Sequence, residues 1–72
     1  MKNKIKEAKA YIEKQIQWQK ESLERDRAVV VRAAKISDSD TIISRAKMMR
    51  ESEIRLHDLY QQLSLVEYLL ND

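Results

Sequence analysis

His57 is the one histidine in the 72 residues, and it stands four residues after Glu53 and next to Asp58. On a helix the four-residue spacing puts Glu53 and His57 on one face, where a carboxylate could orient the imidazole as a general base. A base needs something to deprotonate, and neither a nucleophile, a glycine-rich loop nor a second histidine accompanies it. The expectation is therefore a rim histidine on a chain that is not an enzyme. The carboxylate pairs Glu21/Glu24 and Glu51/Asp58 read as solvated helix charge, with Glu21 to Arg25 and Glu51 to Arg55 in the favourable i,i+4 order. With a single histidine and no cysteine, multi-histidine and zinc-thiolate sites are excluded, and no metal or cofactor is expected.

Two further constellations could bind rather than react. Tyr11 and Trp18 lie seven residues apart, with Lys14 and Arg25 on the adjoining edge, and could stack a base. Aromatics at helical spacing more often pack against protein. Residues 25–50 hold seven cationic and three acidic side chains, net +4. Arg32, Lys35, Arg45, Lys47 and Arg50 are the candidate contacts for phosphate or an acidic partner. Against nucleic acid, acids are interspersed, the whole chain is only +2, and no helix-turn-helix or finger signature is present. Gln15 and Gln19, close to Trp18, suggest a buried amide layer of the kind that sets register in bundles.

The elements that must position these residues are helices. The chain contains no glycine and no proline, and its abundance of Lys, Glu, Arg, Gln, Ala, Leu and Met favours helical backbone. The single break is Ile36-Ser37-Asp38-Ser39-Asp40-Thr41, whose short polar side chains compete for backbone hydrogen bonds. Ser37 and Asp40 imitate a capping box there. A calcium loop is excluded by the missing glycine and distant glutamate. The sequence thus predicts an all-α, antiparallel two-helix hairpin forming one domain over 1–72. Its helices cover about 3–35 and about 39–71, the turn about 36–40, each helix being roughly 50 Å long at 1.5 Å per residue. A kink near Arg25 to Arg27 is compatible with the pattern.

At 100° per residue, Ile5, Ile12, Ile16, Leu23, Val30 and Ala34 form one stripe on the first helix, the expected seam. A second stripe of Tyr11, Trp18, Val29 and Ile36 lies about 120° away. On the second helix Ile42, Met49, Leu56, Leu63 and Leu70 recur every seven residues, with Leu59 and Val66 between them and Arg45 and Ser52 interrupting the same line. Ile43, Ile54 and Leu65 follow an eleven-residue spacing near the opposite face, joined by Tyr68 and Leu69. Residues 1–20 carry a net +4 and residues 51–72 a net −4, so an antiparallel hairpin brings opposite charges side by side.

A chain this short rarely buries a sufficient core alone, and with no disulfide or metal to help, oligomerisation is the expected compensation. The partner is expected to be a second copy giving a four-helix bundle or coiled-coil-like assembly, with another protein as a further partner. The interface is placed at Tyr11, Trp18, Val29, Ile54, Leu65, Tyr68 and Leu69. No apolar run reaches membrane-spanning length and the lysine-dotted start has no apolar signal segment, so no membrane partner and a cytoplasmic location are expected. In outline the hairpin resembles the plasmid copy-number RNA-binding bundles and the sporulation aspartyl-phosphate phosphatases. It carries no motif of the former and lacks the Ser-Gln-x-Leu-Asp run of the latter, so neither transfers a residue or an activity. The functional expectation is a non-catalytic protein–protein interaction module (adaptor, inhibitor or regulator), the alternative being nucleic-acid or nucleotide binding through the basic tip.

Overall fold

A computed structural model describes residues 2–71. It is all-helical: α1 spans Lys2–Lys35 and α2 spans Ser39–Asn71, packed against each other as a hairpin. The rod measures 53 × 14 × 13 Å between Cα extremes. Neither helix is long and apolar enough to cross a membrane.

The seam follows an alternating four-three spacing on both helices. On α1 it runs through Ile5, Lys9, Ile12, Ile16, Gln19, Leu23, Asp26, Val30 and Ala33, all buried or half-buried. On α2 it runs through Ile42, Arg45, Met49, Ser52, Leu56, Leu59, Leu63, Val66 and Leu70, likewise buried or half-buried. This is heptad packing, in which two lines of side chains per helix interlock across the contact. Ala33, not Ala34, closes the seam near the turn, because a seven-residue repeat drifts about 20° against an ideal helix and carries the stripe past Ala34. Arg45 and Ser52 do not interrupt the line but occupy it. The helix also runs unbroken through Arg25 to Arg27, since Asp26 continues the seam as a polar layer.

The link between the helices is three residues long and every residue in it is hydrogen-bonded. Ser37 takes a left-handed conformation, φ 56°. That turns the chain so the Asp38 N–H reaches the Ala33 carbonyl (2.9 Å) and the Ser37 N–H reaches the Ala34 carbonyl (3.2 Å), closing α1 with the two bonds of a Schellman cap. Asp38 then caps α2. Its carboxylate accepts the Thr41 N–H at 3.3 Å and the Thr41 hydroxyl at 2.6 Å, while its carbonyl accepts the Ile42 N–H at 3.1 Å. The cap is therefore Asp38 with Thr41, and the expected Ser37–Asp40 box is not formed. Asp38 serves two helices at once, as the residue beyond the end of α1 and the one before α2. Asp40 in the first turn of α2, and Arg32 and Lys35 in the last turn of α1, each complement the helix dipole beside them.

The Thr41 hydroxyl and, to a smaller degree, its N–H hold the Asp38 carboxyl below its ordinary value. A depressed folded-state pKa contributes stability that is present at neutral pH and lost as the pH falls through that lowered value. Asp38→Ala is thus expected to lower Tm at pH 7 and to differ progressively less from the parent below about pH 4, as read by thermal melts across pH. Ser37→Gly is expected to raise stability by about 0.5–1 kcal/mol, the left-handed penalty of a residue with a Cβ less glycine's larger chain entropy. Urea unfolding at one fixed protein concentration measures it.

Candidate interaction surface

The seam holds little that is apolar and fully covered. Ile12, Ile16 and Ala33 are its buried apolar residues, and no side chain among the described residues is fully enclosed. Two polar groups are buried beside them, Asp26 and Ser52. Asp26, at 4% exposure, accepts a hydrogen bond on Oδ1 from Arg45 Nη1 at 3.0 Å, an ion pair across the two helices. Its other oxygen, Oδ2, is buried without a hydrogen-bond partner. Arg45, one of the candidate phosphate contacts, is half-buried and committed to Asp26.

Two sides of the rod flank the seam, and they differ. One carries Tyr11, Gln15, Trp18, Ser22, Arg25, Val29 and Arg32 from α1 and Met48, Glu51, Arg55, Asp58, Gln62, Leu65 and Leu69 from α2. A shallow groove across both helices on this side is lined by Gln15, Gln19, Arg55, Asp58, Leu59 and Gln62. The amides sit at its wall, half-buried for Gln15 and Gln19, rather than in an enclosed layer. The other side carries Lys6, Glu13, Lys20, Glu24, Arg27, Arg50, Glu53, His57, Tyr60 and Glu67. Lys20 reaches over the Tyr60 ring there, Nζ 5.8 Å from its centroid, and Glu24 and Arg27 pair at 3.8 Å.

The structure brings together some of the expected interface and separates the rest. Tyr11, Trp18, Leu65 and Leu69 share the first flank and are exposed, 50% for Trp18 and 64% for Tyr11. Val29 is on the same flank, half-buried. Ile54 and Tyr68, also exposed, occupy the outer face of α2 opposite the seam. Lys14 Nζ sits 5.1 Å from the centroid of the Trp18 ring, so one face of the indole is occupied by a cation of its own helix.

Around the turn, Arg32, Lys35, Lys47 and Arg50 are exposed. By helical position Arg32 lies on the first flank, Arg50 on the second, and Lys35 and Lys47 on the outer faces. They encircle the tip instead of converging. His57 is exposed, and its Nε2 lies 3.2 Å from the amide nitrogen of Gln61. The nearby hollow of Arg50, Glu53, Ile54, His57 and Asp58 is open to solvent. Neither Glu21–Arg25 nor Glu51–Arg55 forms an ion pair among the described residues, and Glu21 instead accepts from Gln17 at 3.2 Å. No group of acidic, histidine or cysteine side chains among the described residues is arranged to hold a metal ion.

No family model, curated protein or solved structure matches the chain.

The residue that sequence reasoning missed is Asp26. It was legible only in the seven-residue line Ile5, Ile12, Gln19, Asp26, Ala33, which places a carboxylate in the seam regardless of its hydropathy. Removing one partner of such a pair leaves a buried charge uncompensated, whereas replacing both with apolar side chains removes the desolvation penalty too. Arg45→Met should therefore destabilise by about 1–3 kcal/mol, discounted for the partial exposure of Arg45. Asp26→Leu combined with Arg45→Met should be neutral or stabilising, by up to about 2 kcal/mol. Urea titrations of the two single variants and the double variant give the coupling, and simple additivity would rule out the pair as a coupled unit.

Proposed function

We propose that the chain is a non-catalytic protein–protein interaction module that works as a homo-oligomeric helical bundle, as an adaptor, inhibitor or regulator. The observation that carries this reading is the surface. The rod exposes 5795 Å² at 8.6 kDa, where a compact monomer of that mass exposes about 4,700 Å². The excess of roughly 1,100 Å² exceeds what one partner contributes to a standard stable interface, about 800 Å². Among the described residues, eleven large apolar side chains are exposed against three apolar residues buried. Surface of that kind is stable in water when another surface covers it.

Adaptor or inhibitor roles follow from what is left after self-association. Ile54 and Tyr68 point away from the seam and from either flank, so they stay accessible in a dimer that uses a flank. A partner helix could anchor there by helix-in-groove packing.

A second reading, nucleic-acid binding through the tip, draws on the net +4 of residues 25–50. The encircling arrangement of the four exposed cations favours it less than a convergent stripe would. Gel shifts at low salt with the parent and with Lys47→Ala/Arg50→Ala decide it, because phosphate contacts must weaken with both salt and charge removal.

Sedimentation equilibrium at micromolar concentration is expected to return a dimer or higher oligomer. A monomer would sink the reading. Leu63→Asp, in the seam, is expected to abolish assembly and helicity together, whereas Ile54→Asp should leave both intact, circular dichroism reporting the helicity.

A further inference from the structure

The two flanks beside the seam are not equivalent. Of the exposed large apolar side chains that the flanks carry within the helices, Tyr11, Trp18, Met48, Leu65 and Leu69 fall on the groove side, and Val31, Ile43 and Tyr60 on the other. On α1 charge is distributed the opposite way, while the two flanks of α2 are matched, with Glu51, Arg55 and Asp58 against Arg50, Glu53 and Glu67. Lys6, Glu13, Lys20 and Arg27 recur every seven residues on the second flank of α1, where the groove side has Ala8, Gln15, Ser22 and Val29 at the corresponding line. Small side chains, amides and exposed apolar groups are what a second helical layer can approach and cover. A line of fully charged side chains is not.

The direction of approach follows from charge. The half of the rod nearer the turn, residues 25–50, is net +4, and the half nearer the chain ends, residues 1–24 with 51–72, is net −2. Laying two rods side by side in the same direction sets +4 against +4. Reversing one sets +4 against −2 at both ends. The rod measures 53 × 14 × 13 Å between Cα extremes, so one long side offers roughly 700 Å² before side chains widen it, close to the 800 Å² per partner of a standard interface.

We propose that a second copy of this chain docks antiparallel on the groove flank, burying Tyr11, Trp18, Leu65 and Leu69, with Trp18 at the two-fold axis. The proposal rests on the homo-oligomer reading above and adds its face and direction. Trp18 stands at the middle of α1 and Arg55 at the middle of α2, so full antiparallel overlap brings Trp18 level with Trp18 and Arg55 of the second copy. Arg55 is in no ion pair among the described residues, and its guanidinium is free to stack on the indole face that Lys14 leaves open. At the two ends of the overlap, the Leu65 and Leu69 end of one rod covers the Val29 and Met48 region of the other.

Three measurements on the full chain test this and separate it from the oligomer reading. The chain has no cysteine, so Ser39→Cys gives a single nitroxide site at the turn. Antiparallel docking puts the two labels on the order of 50 Å apart, the length of the rod, and parallel docking puts them within about 20 Å, a bundle's width. Trp18→Glu is expected to weaken association about thirtyfold or more, as loss of a central aromatic anchor does, and Tyr60→Glu on the other flank to change it less than threefold. Both sites are exposed, and unchanged helicity by circular dichroism verifies that each variant folds. A parent that stays monomeric at tens of micromolar overturns the oligomer reading and this proposal together. A dimer with labels within 20 Å, or one that tolerates Trp18→Glu and fails with Tyr60→Glu, overturns the face and direction alone.

Discussion

Two helices have one line of contact, and everything else about this rod follows from that constraint. A side chain in a two-helix seam is covered by its own helix and one neighbour and stays open to water above and below. That is why the seam leucines of α2 are only half-buried although their heptad spacing is unbroken. It also explains why apolar burial is greatest at Ile12, Ile16 and Ala33, whose side chains are short or β-branched. Hydrophobic stabilisation scales with area removed from water, so lengthening the helices adds to it only in proportion, while a second layer raises the coverage of every seam residue at once.

The seam is also divided lengthwise. On α1 the line Ile16, Leu23, Val30 is apolar, while the parallel line Ile12, Gln19, Asp26, Ala33 turns polar at its centre. On α2 the line of Ile42, Met49, Leu56, Leu63 and Leu70 is apolar, and its companion contains Arg45 and Ser52. Apart from half-buried Lys9 near the chain ends, the polar seam residues therefore belong to one side, the side on which the Gln15–Gln62 groove opens. Asp26 and Arg45 meet within that line. The arrangement gives up some stability, since one carboxylate oxygen is left unpaired in the interior. In exchange it specifies which residues lie opposite one another, because sliding either helix by one heptad would separate the charges. Repeated leucines alone tolerate such a slip.

Most of the fold is legible in the sequence. The absence of glycine and proline, the polar break after Ile36 and the seven-residue leucine line on α2 together define the hairpin and its two helices. What local patterns could not show was pairing between residues distant in sequence. Arg45 reads as a break in an apolar line because hydropathy assigns charge to water, and its partner lies nineteen residues earlier on another helix. The turn was legible as a turn but not in its detail. Ser37, Asp38, Ser39 and Asp40 are all plausible caps by residue type, and only the left-handed backbone at Ser37 selects Asp38. Among the candidate site residues, Tyr11, Trp18, Leu65 and Leu69 share one flank across two helices. That grouping depends on which way α2 faces once the seam is closed, a fact that neither helix contains on its own.

The turn has a consequence for the order in which the chain organises itself. Its backbone bonds join residues no more than five apart, and the next specific contact outward, Asp26 with Arg45, closes a loop of nineteen. Each further layer of the seam closes a longer one, up to Ile5 opposite the C-terminal turns of α2. Loop-closure entropy rises with every step from tip to ends, so the entropic gradient along the rod runs in one direction. The hairpin is laid out as a zipper with its first teeth at the tip, and the end that closes at greatest entropic cost is the one that carries Leu65, Tyr68 and Leu69 uncovered.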